Sequence, residues 1–291
     1  MHILKGYTKQ EISWMMYDWA NSAHSVIIVT LLPIFFDTVA GYTADSVSSM
    51  STWGYATSIA MLIVALAAPF LGVFGDIRGM RKKLFSFFML LGVAACAGMA
   101  FTPGMDFTSG PVAAGKVASL ILVLYIVSVI GFDASAIYYD AFLTDVTIED
   151  RMDKVSTMGY GLGYIGGSTI PLLIFLIMNL VGVPMLTCLA FVFGLTAVWW
   201  LAFSLPLLKN CEQTSGKPYE KGDVARSIKG VGTTIKEIIA NKPMLIYILS
   251  YFFYIDGVHT VISMATTYGT NLGLDSTGMM LALLLVQILG L

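Results

Sequence analysis

The sequence predicts an all-α polytopic membrane protein, on three observations. Of its 291 residues 57% are hydrophobic and only 12% charged, against about 25% charged in an ordinary soluble domain. Mean hydropathy is +0.81. Seven apolar stretches reach the ~20 residues that a membrane-crossing helix needs. If each stretch crosses once, fifteen of the sixteen Lys and Arg residues fall on one side of the membrane, with Lys116 alone opposite. Such a bias fixes orientation and points to a cytoplasmic N-terminus.

The seven helices are expected over roughly 14–36, 53–74, 84–101, 117–139, 156–178, 183–205 and 244–268. Thr8 and Glu11 have the spacing of a capping box, so the first helix should begin before Trp14. An eighth apolar stretch begins near Ser276 and the sequence stops within it at Leu291. That ending suggests a C-terminally truncated chain. The longest polar connection, 209–242, separates a six-helix unit (1–208) from the start of a second transmembrane unit (243–291). Within it Val224, Ile228, Val231, Ile235 and Ile238 share one helical face. An interfacial helix and a flexible linker both fit, since Gly230 and Gly232 interrupt the pattern.

Several functions are excluded at this level. No basic stripe exists for a nucleic acid backbone. Cys96, Cys188 and Cys211 are far apart and three histidines are scattered, so neither a disulfide framework nor a metal site is indicated. No Walker loop is present. No cofactor is expected. The N-terminus, with Asp18 and Asn21 in its first apolar stretch, is not a signal peptide.

Polar groups inside membrane helices are costly and mark pathways or proton relays. On the first helix Asp18, Asn21, Ser22 and Ser25 occupy about 100° of arc, and His24 lies just past its edge. On the fourth, Asp133 and Asp140 are two turns apart. On the seventh, Asp256, His259, Thr260, Ser263 and Thr267 share a face. The heptapeptides NSAHSVI (21–27) and DGVHTVI (256–262) repeat one pattern in the first and seventh helices, as expected of two parallel six-helix repeats. These helices are therefore expected to line a central cavity. Asp256 and His259 would handle a proton, and the first helix would bind solute. Interhelical hydrogen bonding alone would account for the Ser and Thr residues, but poorly for three aspartates.

Gly159, Gly163, Gly166 and Gly167 stripe the fifth helix, for tight static packing or a sliding contact. Pro171 could permit a bend there.

The second-to-third loop, GVFGDIRGMRKK, resembles the signature loop of the major facilitator superfamily at Gly72, Asp76, Gly79, Arg81 and Lys82. Ile77 and Met80 depart from it, and Arg78 is the candidate replacement for one missing basic residue. This loop is expected to form an inner gate against Asp140 and Asp145 of the fourth helix, through an exposed ion pair. The segments YDWANSAHSVIIVT, YYDAFLTDVTIEDRMDKVSTMGYGLGYIGG and FFYIDGVHTVI resemble the vacuole effluxer Atg22-like branch, or UMF1 family. Ile255 departs from it. The resemblance implies a major facilitator fold, here the N-terminal six-helix half plus the first one to two helices of the second. It further implies a non-enzymatic secondary transporter or effluxer of a small solute, such as amino acids, that acts by alternating access. Its partners would be the solute, protons and the bilayer, with no nucleic acid, and it would be a monomer. In a bacterium it would sit in the plasma membrane. A transport-incompetent receptor or scaffold on the same fold is the alternative. An intramembrane aspartyl hydrolase is a remote one, because Tyr17-Asp18 and Tyr139-Asp140 lack the Gly-x-Gly-Asp partner motif.

Overall fold

The computed structural model describes residues 4–43, 49–216, 218, 223–275, 278–279, 281–282 and 285–286. Seven helices among these are long and apolar enough to cross a membrane. They are α1 (Lys9–Ala40), α2 (Ser49–Gly75), α3 (Arg81–Met99), α4 (Pro111–Val146), α5 (Glu149–Leu180), α6 (Met185–Asn210) and α8 (Lys242–Asn271). Between the last two, α7 (Asp223–Ala240) forms a helix in the long polar connection, as the spacing of its apolar residues allows. The side chains of Val224 and Ile228 lie outside the described residues. So does most of the eighth stretch expected near Ser276.

All seven expected helices are present, most of them extended by a few polar or boundary residues, although α3 ends two residues before and α6 begins two residues after the expected bounds. At α1 the extension has a visible cause. Thr8 accepts from the Glu11 amide and its own amide donates to the Glu11 carboxylate, which completes the capping box. The same carboxylate is buried and bound by two nitrogens of Arg151, at 2.8 and 2.9 Å, and by Thr147 at 2.7 Å. The helix bounds read from the sequence leave Arg151 in the connection between the fourth and fifth helices. It belongs instead to the first turn of α5, because only Thr147 and Ile148 separate α5 from α4.

Small residues set the closest approaches. A Cβ on Gly131 of α4 would fall 2.5 Å from the Gly92 amide nitrogen of α3, so these backbones touch. Trp200 of α6 closes over the same Gly92. The core between α1, α3, α4 and α6 is aromatic: Tyr17 meets Phe85 and Tyr139, and Trp14 stacks on Tyr139 at 4.3 Å.

Helix α5 is not uniform. Residues Gly163–Ser168 form a π turn. Pro171 follows and has no N–H to give the preceding turn. The Thr169 hydroxyl donates to the Tyr164 carbonyl at 2.7 Å, five residues back. Such turns open the backbone and recur at functional positions. The looseness expected at Pro171 is thus located one turn earlier.

Candidate functional site

On α1 the polar arc faces α4 and α5. The Tyr139 hydroxyl of α4 donates to Asp18 at 2.7 Å. The Ser135 hydroxyl gives its single hydrogen to the Phe132 carbonyl, so it accepts from Tyr17 at 2.8 Å. Trp200 donates to the Tyr17 oxygen at 3.3 Å. Asn21 is buried beside that hydroxyl. The two Tyr-Asp pairs noted in the sequence therefore meet through one contact, Tyr139 on Asp18, while Tyr17 bonds Ser135 and Trp200 and not Asp140.

The glycine stripe covers this face. A Cβ on Gly159 would press on the Asp18 carboxylate, one on Gly163 on the Ser22 hydroxyl, and one on Gly167 on the Trp19 carbonyl. A Cβ on Gly166 would run into the Trp19 ring. Ser25 turns its hydroxyl back to the Ser22 carbonyl at 3.0 Å, and Ser168 of the π turn reaches the same carbonyl at 3.4 Å. The most open backbone of the bundle therefore lies against Asp18 and Ser22.

His24 does not share this face. It is buried, stacked on Phe132 at 4.8 Å and against Trp200 at 5.1 Å, and neither ring nitrogen has a hydrogen-bond partner among the described residues. The expectation that it lines a polar cavity is corrected: a residue 60° past Asn21 on a 3.6-residue helix turns into the aromatic core. A buried polar group without a partner costs about 1–3 kcal/mol by mutational data. His24→Phe should therefore leave the thermal midpoint unchanged or raised, and any transport intact. Thermal unfolding in detergent checks this; a clear loss of stability would reveal a polar partner.

Asp133 is half-buried, and one carboxylate oxygen is buried without a hydrogen-bond partner among the described residues. It lies within electrostatic reach of Tyr125, whose hydroxyl contacts Thr57 of α2 at 3.1 Å. Thr57 also borders a cleft of about 460 Å³ between α2 and α8, lined with Ser51, Ser58, Thr260 and Ser263. Thr260 and Ser263 thus face α2. Asp256 and His259 are exposed, and no ion pair joins them among the described residues. They are not brought to Asp18 and Asn21.

The position of α8 explains this. It meets the bundle through its C-terminal third, where Met264 reaches Gly54 at the start of α2 and Thr266 is buried. Its N-terminal half, including Tyr247, Phe253 and Tyr254, stands exposed. The start of α2 is at the end of the bundle opposite the basic α2–α3 loop. The cleft lined by Thr57, Thr260 and Ser263 therefore lies toward that end of the bundle.

On the basic side Gly79 turns the α2–α3 loop with φ +81°, a conformation that favours glycine. Arg81 forms an ion pair with Asp145 at the end of α4, donates to the Ala141 carbonyl at 2.9 Å, and lies 3.9 Å from Asp76. Two expectations are corrected. The pair is buried, with side chains 5% and 0% exposed, whereas Asp76 is 83% exposed. Asp140 is not the partner: it is exposed and stands on the Asp18 side of α4. Arg78 is exposed, Lys82 is half-buried, and a Cβ on Gly72 would meet open space. The tight glycine of this loop is Gly75, whose Cβ would come 3.0 Å from the Tyr138 ring.

Sequence reasoning missed Gln213, Thr214 and Ser215. Thr214 and Ser215 each bring an amide and a hydroxyl to one Asp145 oxygen, at 2.7–3.0 Å. These contacts span about 70 residues, and no periodicity signals them. No group of His, Cys, Asp and Glu able to hold a metal occurs among the described residues.

Comparison with known proteins agrees with this architecture. The family model described as vacuole effluxer Atg22 like matches residues 41–152 and 144–291. A Bacillus subtilis (strain 168) protein described as uncharacterized MFS-type transporter YxiO is 39% identical over 294 residues, covering 98% of this chain and 66% of its own length. Two fungal proteins described as autophagy-related protein 22-1 are each 26% identical. The one from Penicillium rubens aligns over 50% of this chain and 27% of itself, and the one from Sclerotinia sclerotiorum over 40% and 22%. The chain thus spans just under two thirds of the bacterial relative and about a quarter of each fungal one.

Proposed function

The chain belongs to the Atg22-like vacuole effluxer family, and from that premise we propose that it works as a secondary transporter of a small solute by alternating access. The observation that carries this reading is the cleft between α2 and α8, whose walls carry the hydroxyls of Ser51, Thr57, Ser58, Thr260 and Ser263. Residues 1–208 would be the first six-helix half, 209–242 the cytoplasmic linker and 243–291 the start of the second half. The N-terminus and the basic loops would face the cytoplasm, at the plasma membrane if the cell is bacterial.

An amino acid suits the chemistry, because hydroxyls and amides bind its charged ends while apolar walls take the side chain. Thr260 and Ser263, which line the cleft, are the candidate solute contacts, and Asn21 and Ser22 of α1 would join them only in a state of the cycle that uncovers them. Uphill transport needs a group that binds and releases an ion between states. Asp256 and His259, one turn apart on α8, are the candidates, and Asp133 is a candidate for the facing wall. Swinging the N-terminal half of α8 inward would carry the Asp256 carboxylate from an open to an enclosed setting.

Asp256→Asn tests the assignment in reconstituted vesicles. pH-driven accumulation should be lost, while solute exchange at equal pH on both sides persists. If accumulation survives, Asp256 is not the coupling group. If both activities vanish in a folded protein, Asp256 belongs to the solute site.

A further inference from the structure

We infer that the segment Cys211–Gly216, which follows α6, is a latch on the inner gate, with Gln213 as its positioning residue. The inference rests on the transport reading above, since a gate matters only if the two ends of the bundle open in turn.

The amide of Gln213 makes three backbone contacts. Its oxygen accepts from the Gly79 amide at 2.8 Å and the Arg81 amide at 3.3 Å, and its nitrogen donates to the Gly75 carbonyl at 3.0 Å. The first amides of a helix have no partner within it. At α3 the preceding residue, Met80, supplies no side-chain cap. Gln213 therefore caps α3 from 132 positions away, and also closes the end of α2. Thr214 and Ser215 take the free face of Asp145, the carboxylate that holds Arg81. The Ser215 hydroxyl also accepts from Arg81 at 3.2 Å.

The α2–α3 loop and the end of α4 thus meet on the six residues that leave α6. Cys211 anchors the base, buried, with its thiol directed at the Gln10 carbonyl at 3.6 Å. Gly216 packs under the loop beside Asp76 and Arg78 with φ +114°. The same strand of chain leads within seven residues to α7 and on to α8. A shift of α8 during the cycle, passed on through α7, would reach the groups that hold Arg81 to Asp145, and the latch would couple α8 to the gate.

The test uses thiol labelling in membrane vesicles and needs no solute. With Cys96 and Cys188 replaced by alanine, Cys211 is the one native thiol left among these 291 residues. A membrane-impermeant maleimide applied from the basic side should label it slowly. Gln213→Ala should raise that rate about tenfold, as expected when a local opening becomes easier. Gln213→Glu keeps the acceptor but not the amide donor and should fall between. A second thiol, Met264→Cys, reports on the opposite end, where Met264 touches Gly54. In the Gln213→Ala background its labelling from that opposite side should change at least about threefold, because releasing the latch shifts the population of α8 positions. If Cys211 becomes reactive and the Met264→Cys thiol does not change, the segment is a static brace and the inference is wrong. If neither changes, Gln213 does not hold the segment. Failure to find any transported solute would overturn the transport reading and leave both labelling results standing.

Discussion

Arg81→Asp should abolish transport and destabilise the protein, and exchanging the charges as Arg81→Asp with Asp145→Arg should recover only part of the loss. Removing one partner of a buried ion pair costs roughly 3–5 kcal/mol, since the other charge is left buried. Reversal puts a second carboxylate against Asp145. The double variant restores attraction, but an arginine at 145 cannot accept the amides and hydroxyls of Thr214 and Ser215. Arg81→Asp with Asp140→Arg should recover nothing, because Asp140 and Asp145 are five residues apart, about 140° around a helix. Thermal midpoints of the single and double variants in detergent, with uptake in vesicles, distinguish these outcomes. Recovery through Asp140 would mean that the gate pairs differently in the transporting protein.

Gly167→Val should be the most damaging single glycine substitution on α5, whereas Gly161→Val, under two turns away, should be tolerated. A Cβ at 167 would lie 2.5 Å from the Trp19 carbonyl oxygen, a backbone atom that cannot turn aside. That oxygen already accepts from Trp199 at 2.9 Å. Overpacking typically costs about 1–3 kcal/mol and here would force α1 from α5. Around Gly161 nothing lies within 4 Å, so Gly161→Ala should gain stability from helix propensity alone, up to about 1 kcal/mol. Folded yield after size-exclusion chromatography gives the comparison. Equal tolerance at both positions would show that the α1–α5 contact is looser than its geometry.

The sequence made the helices legible because burial in lipid leaves a continuous signal. Seven apolar stretches, the basic sidedness of their connections and the Thr8–Glu11 cap all follow from local composition. The α5 glycine stripe was legible for the same reason, since its spacing alone places four small residues together. Contacts set by tertiary geometry were not. Gln213 reads as a residue in a polar linker, and only folding brings it under α3. Gly92 and Gly131 carry no pattern, although their helices touch through them. Glu11 was legible as a cap and not as the partner of Arg151, 140 residues on. His24 shows how far a helical-wheel argument reaches: one step past the arc, the neighbours change from α5 to the aromatic core. On α8, Thr260 and Ser263 share a face with Asp256, but that face turns to α2 only where the helix approaches the bundle.

If the polar groups of α1, α4 and α8 move a solute together with protons, as proposed, uptake and a change of internal pH should go together. The most direct measurement encloses a pH-reporting dye in liposomes containing the protein and adds fractions of a cell metabolite extract outside. At least one fraction, and amino acids first, should change the internal pH in step with its own uptake, and the response should disappear in Asp256→Asn. Uptake with no accompanying pH change would contradict proton coupling, and the absence of uptake from every fraction by a folded protein would contradict transport itself.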